Sequence, residues 1–184
     1  MKLVVVSGPE ATGKTTVGKE VAKILHYPYC SKDIIKEDLF DSELHSTWDY
    51  SWYEKKAKKR FFAQIEKFLL NGEAAVIESN FTLSDRNRLL GYLRDHVEVV
   101  EIYCYATGFA SFRRFVRRNE SGRRHKGHHD RRWYMKVLLE DLLKFVGIEW
   151  PHKPSGLTKR LLKVNTTNFS SVNYKQIATF VNRA

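Results

Sequence analysis

The chain has 184 residues, 42% of them hydrophobic and 29% charged, and a formal net charge of +11. That length fills one substantial core and is too short for two comfortable domains, so residues 1–184 are expected to form a single soluble globular unit. No apolar run is long enough to span a membrane and the first glycine turn arrives too soon for a signal-peptide core, so a cytoplasmic protein without a membrane partner is expected. The two cysteines, Cys30 and Cys104, sit in apolar runs without metal-ligand spacing and are expected to be reduced and buried.

Residues 3–6 form a β-branched apolar run that reads as a buried first strand. Gly8-Pro9-Glu10-Ala11-Thr12-Gly13-Lys14-Thr15 follows and fits G-x-x-x-x-G-K-[ST]. From Lys14, the residues Val17, Val21, Ala22, Ile24 and Leu25 recur at helical spacing to about residue 26. A strand, a glycine-bounded turn and a helix are what phosphate binding requires. Gly8 and Gly13 allow backbone angles that let successive N–H groups converge on an anion, and the helix N-terminus adds partial positive charge. In this reading the loop and Thr16 cradle a nucleoside triphosphate, Lys14 reaches the β- and γ-phosphates, and Thr15 offers its hydroxyl to Mg²⁺.

A short second strand at Tyr29-Cys30 delivers Asp33 to the start of a second helix that fades near Leu44. Trp52, Ala57, Phe61, Ile65, Phe68 and Leu69 mark one face of a long helix, stopped by Asn71-Gly72, with a lysine cluster largely on its other face. Residues 74–77 read as a third strand ending in Glu78, and a helix over 84–96 follows. Residues 97–106 form a fourth strand with an almost unbroken apolar middle. Next come a helix with Phe109, Phe112, Phe115 and Val116, and a polar stretch over 119–129. A further helix carries Trp133, Val137, Leu138, Leu142, Phe145 and Val146, capped by Asp130. A loop over 147–159, a fifth strand at 161–164 and a closing helix at 172–181 complete the chain. Strands alternating with helices predict a parallel sheet covered on both sides, with ligands at its carboxyl edge.

Three further groups are candidates for chemistry. Asp33 follows the second strand on the same side as the phosphate loop, where it can accept a proton from a substrate hydroxyl or cap its helix. Glu78, after the third strand, can help hold Mg²⁺ or pair with a lysine. Between Arg113 and Arg132, nine basic residues face two acidic ones, so this segment carries +7 of the total charge. Arg114 and Arg118 share a helix face, as do Arg113 and Arg117, and Arg131 and Arg132 fall in the first turn of the next helix. A basic lid over about 113–132 that closes on polyphosphate is expected. The three histidines there lack the partners of a zinc site.

At these residues the chain resembles the small-molecule kinase branch of the phosphate-loop fold, which includes shikimate kinase, gluconate kinase and chloramphenicol phosphotransferase. It is also similar to the kinase domain of phage-type polynucleotide kinases. The resemblance implies a three-layer α/β/α phosphate-loop NTPase fold with a five-stranded parallel sheet in the order 2-3-1-4-5. It implies ATP and Mg²⁺ as cofactors and a small-molecule hydroxyl acceptor, with the protein a monomer or homodimer. Asp33 matches the base position, while Arg114, Arg117 and Arg118 match nucleotide-clamping and transition-state arginines. Asn165, Thr166 and Thr167 match the loop beside adenine. Glu78-Ser79-Asn80 departs from the aspartate of many relatives. A polynucleotide or nucleoside kinase, with nucleic acid as substrate, is the alternative, and a slowly hydrolysing regulatory switch is the reading from another class.

Overall fold

The first strand, β1 (Lys2–Ser7), shows why its apolar run is unbroken: it is covered on both faces. Val4 and Val6 enter a core built with Val17, Val21, Ala22 and Leu25 of α1 (Lys14–Leu25) and Ile177, Ala178 and Val181 of α6 (Tyr174–Asn182). Leu3 and Val5 enter the opposite core, with Phe61, Phe62, Ile65 and Phe68 of α3 (Tyr50–Leu70) and Leu89 of α4 (Leu83–Tyr92). The structure, a computed structural model, describes residues 1–42, 50–121, 124–128, 135, 139 and 153–183.

Four strands join β1 in one parallel sheet: β2 (Tyr29–Ser31), β3 (Ala75–Glu78), β4 (Glu98–Tyr105) and β5 (Leu161–Asn165). Their order is β2-β3-β1-β4-β5, as the resemblance implied. Val6 is level with Glu78 and Ser31 is level with Glu78, so the ends of β1, β2 and β3 meet at one edge. Because all five strands are parallel, the loops after them open on that edge too. α2 (Lys32–Ser42) leaves β2 directly and packs on α3 through Leu39, Tyr53 and Ala57. α5 (Gly108–Glu120) follows β4, with the Thr107 hydroxyl capping Ala110 N.

Two helix bounds differ from expectation, and the one break in the apolar middle of β4 has its own partners. α4 stops at Tyr92, not near His96: Gly91 weakens its last turn, and Leu93 turns extended while its N–H still caps Leu89 O. The middle of β4 is not purely apolar. Glu101 is fully buried there, accepting from Ser7 Oγ (2.5 Å), Ser155 N (2.6 Å) and Ser155 Oγ (2.8 Å). The closing helix starts at Tyr174, because Asn168 first caps a 3₁₀ turn (Phe169–Ser171) and Asn173 then caps the helix. The expected cap at Asp130, the arginine pair Arg131 and Arg132, and Trp133, Val137, Leu138, Leu142, Phe145 and Val146 lie outside the described residues.

Candidate active site

The phosphate loop runs from the end of β1 to the first turn of α1 and is braced on both sides. At Gly8 (φ 139°) an added Cβ would lie 2.1 Å from the Cys104 carbonyl oxygen, so β1 and β4 can approach only if that residue is glycine. At Gly13 (φ 82°) an added Cβ would lie 2.3 Å from the Phe169 ring. Thr166 Oγ1 donates to Thr12 O at 2.5 Å and ties the loop after β5 to the phosphate loop. Between the two glycines Ala11 holds φ 56°, a left-handed conformation that costs a non-glycine residue roughly 1–2 kcal/mol. Lys14 is buried, and its ammonium donates to Pro9 O at 2.7 Å. Thr15 and Thr16 are exposed at the helix start.

Glu78 is buried at the end of β3. Its Oε2 accepts from Ser31 Oγ (2.7 Å), Tyr29 OH (3.1 Å) and Thr15 Oγ1 (3.4 Å). Burial raises its pKa above the ordinary 4.5; the Lys14 charge works against that shift and the Asp33 charge adds to it. The same two effects keep the Tyr29 phenol protonated: it is desolvated and faces the Glu78 carboxylate. A carboxylate and a threonine hydroxyl are hard oxygen donors of the kind Mg²⁺ takes when phosphates and water complete its shell. Among the described residues no group of three or more His, Cys, Asp or Glu side chains forms a metal cluster.

In front of the loop lies a cleft of about 230 Å³. Glu10, Thr15, Ser31, Asp33 and Arg118 line it, so four of the residues singled out by sequence share one cavity. Asp33 is exposed inside the first turn of α2, which begins one residue earlier, so it lies past the N-cap position. Arg118 Nη2 donates to Glu10 Oε1 at 2.8 Å. Burial alone would raise the Glu10 pKa, but the charges of Lys14, Arg118 and Arg124 outweigh it and hold the carboxyl at about 2.

Two more lining residues, Lys19 and Glu37, escaped the sequence reading, and two others, His125 and His128, were weighed there only against a zinc site. His128 Nε2 lies 3.0 Å from Glu37 Oε1, and His125 Nε2 lies 3.1 Å from Asp41 Oδ1. Asp33, Glu37 and Asp41 succeed one another every four residues on α2, so they share a helix face. That acid ladder and the His-x-x-His spacing were the signals available. Arg124, one of the nine basic residues counted between Arg113 and Arg132, also lines the cleft and is buried.

The other predicted residues lie elsewhere. Arg114 donates through Nη2 to Thr166 O (2.5 Å) and Thr167 O (2.9 Å), and its guanidinium stacks 4.3 Å from the Phe169 ring centroid. It therefore grips the loop after β5 and is not among the residues lining the cleft. Asn165 Oδ1 accepts from Thr167 N, and Thr167 Oγ1 accepts from Thr107 N. Arg117 is exposed on the outer face of α5 with Phe109 and Val116.

A strand, phosphate loop and helix at the carboxyl edge of a 2-3-1-4-5 sheet define a phosphate-loop nucleotide-binding protein. Within that class, residues 3–136 match the AAA domain family, and the chain belongs to it. No curated protein matches the sequence. A provisionally named kinase from Chloroflexus aurantiacus is similar over 99% of this chain and 97% of its own, with 28% identity and a TM-score of 0.84. Kti12 of Chaetomium thermophilum, in complex with ADP-AlF3, is similar over 96% of this chain and 95% of its own (17% identity, TM-score 0.63). A gluconokinase from Sinorhizobium meliloti is similar over 98% and 89% (17% identity, TM-score 0.54). The last two likenesses establish the fold that these proteins share with the chain. Among the described residues no helix is long and apolar enough to cross a membrane.

Proposed function

We propose that this chain is a kinase that transfers the γ-phosphoryl group of ATP, with Mg²⁺, to a hydroxyl of a small acceptor. One observation carries the reading: Asp33 shares a cleft with the phosphate-loop residues Glu10 and Thr15 and with the lid arginine Arg118. Its exposed carboxylate can accept the acceptor's hydroxyl proton there. The kinase naming of two structural relatives supports the same chemistry.

Each side chain then has a task. Lys14 exchanges the Pro9 carbonyl for a phosphate oxygen. Thr15 and Glu78 hold Mg²⁺, which neutralises phosphate charge when bound, and Ser31 and Tyr29 orient Glu78. Arg118 supplies positive charge to the transferring group, where an arginine contributes on the order of 10³–10⁵-fold in related chemistry. Arg114 holds the Thr166–Thr167 backbone on the nucleobase side. Closing the lid onto α2 through His125 and His128 excludes water from the cleft.

A second reading, a nucleoside or polynucleotide acceptor, is favoured by a neighbouring cavity of about 580 Å³. It meets the first cleft at Ser31 and Ile34 and carries Arg60 and Lys67 on its rim. Of the aromatics that suit base stacking, Tyr53 is buried in the core and Trp52 is 42% exposed, while Trp48 lies outside the described residues. The test is an ATP-consumption screen pairing metabolite pools, nucleosides and 5′-hydroxyl oligonucleotides with the protein. Turnover that depends on a small hydroxyl compound supports the first reading, and dependence on oligonucleotides replaces it with the second. Acceptor-independent turnover sinks both in favour of a regulatory switch.

A further inference from the structure

Glu10 is an odd residue to find in a loop built to hold a polyanion. Its side chain is only 18% exposed, so the carboxylate is not simply turned out to water. Backbone strain at the adjacent Ala11 (φ 56°) persists only where surroundings over-determine it, which fixes the direction in which Glu10 leaves the loop. The carboxylate meets Arg118, a residue in the last turn of α5 that lies 108 positions later in the chain. That contact uses one of the five N–H donors on the guanidinium and leaves four for another anion. Lys14 behaves differently. Its ammonium bonds to Pro9 O and forms no ion pair with Glu10 among the described residues, so Glu10 does not consume the phosphate-binding lysine.

We propose that Glu10 is a positioning residue that holds Arg118 of the lid helix against the phosphate loop, aimed at the place of the transferring phosphoryl group. This rests on the proposed role of Arg118 in phosphoryl transfer. A long arginine at a helix end has many rotamers, and the Glu10 contact selects those that lie over the loop. The lid is thereby preset before the nucleotide arrives, and the gain goes to the transition state more than to ground-state binding. A carboxylate that merely plugged the anion site would instead sit on Lys14 and compete with nucleotide.

The test compares binding of Mg-ADP and of Mg-ADP with aluminium fluoride, a planar mimic of the transferring group, by calorimetry on the intact protein. Variants are Glu10→Gln, Glu10→Asp, Arg118→Ala and the double variant Glu10→Gln/Arg118→Ala, each checked for unchanged near-UV circular dichroism. Glu10→Gln is expected to weaken the aluminium fluoride complex about tenfold while Mg-ADP affinity stays within about threefold. Glu10→Asp, which keeps the charge, should lose less. Arg118→Ala should weaken the mimic at least as much as Glu10→Gln, and the double variant no further, because both act through one guanidinium. If Arg118→Ala weakens the mimic but Glu10→Gln does not, or if the two losses add, Glu10 does not position Arg118 and the arginine's role stands. Tighter Mg-ADP binding by Glu10→Gln identifies a plug and overturns the proposal. If Arg118→Ala leaves the mimic untouched, the role of Arg118 fails, and the positioning claim fails with it.

Discussion

Replacing Asp33 by Asn separates chemistry from folding more cleanly than any other change in the cleft. The side chain is exposed in the first turn of α2, so removing its charge costs the helix only its dipole interaction, about 0.3–1 kcal/mol. General-base help is worth about 10²–10⁴-fold, or about 2.7–5.5 kcal/mol of barrier. The kinetic effect should therefore exceed the effect on stability several times over. The Asp33 charge also raises the Glu78 pKa, so Asp33→Asn eases ionisation of Glu78 and should not weaken the Mg²⁺ binding proposed for it. Turnover with the acceptor identified by the screen should fall at least about a hundredfold, with Mg-ADP affinity within about twofold of the parent. Turnover within about threefold of the parent, or a parallel loss of nucleotide affinity, would refute the assignment of Asp33 as base.

Two further outcomes are expected from the phosphate loop and from the contact between Glu37 and His128. Gly8→Ala should abolish nucleotide binding and lower Tm, because its Cβ would lie 2.1 Å from a backbone oxygen at φ 139°; a calorimetric Mg-ADP affinity like the parent's would contradict this. The hydrogen bond from His128 holds the Glu37 pKa below its ordinary value; burial opposes this, and the charges of His128, His125 and Lys19 reinforce it. A depressed folded-state pKa means stability that is present above about pH 4.3 and lost as pH falls through the folded value. Tm should accordingly drop in that acid window and drop less steeply in Glu37→Gln, and parallel curves for the two proteins would exclude the contribution.

How far the sequence carried these conclusions depends on the range of each interaction. The β1–loop–α1 unit was legible because its residues are neighbours: the apolar run, the two glycines and the helical spacing all lie within residues 2–25. The sheet edge that collects Asp33 and Glu78 was legible from strand alternation. Glu101 was not, because one charged residue in an apolar run does not reveal the serines that satisfy it, Ser7 and Ser155. Arg114 and Arg118 share a helix face by spacing, yet one turn of about 5.4 Å separates them, enough for two destinations. Arg114 meets the backbone after β5 and Arg118 meets Glu10, partners fixed by where α5 docks. The histidine–acid pairs join residues 84 and 91 positions apart, which no local pattern encodes.

The proposed reaction is transfer of phosphate to an acceptor from a nucleotide held by the phosphate loop. The most direct measurement is acceptor-dependent phosphorylation from γ-labelled ATP by the parent protein and by Lys14→Ala, with folding of both followed by circular dichroism. Lys14 is buried beside Pro9 O and makes no other side-chain hydrogen bond among the described residues, so the variant should remain folded. Labelled acceptor is expected with the parent, dependent on Mg²⁺, and a loss of at least about a hundredfold with Lys14→Ala. Labelled acceptor formed equally well by Lys14→Ala, or label released only as inorganic phosphate whatever the acceptor, would contradict it.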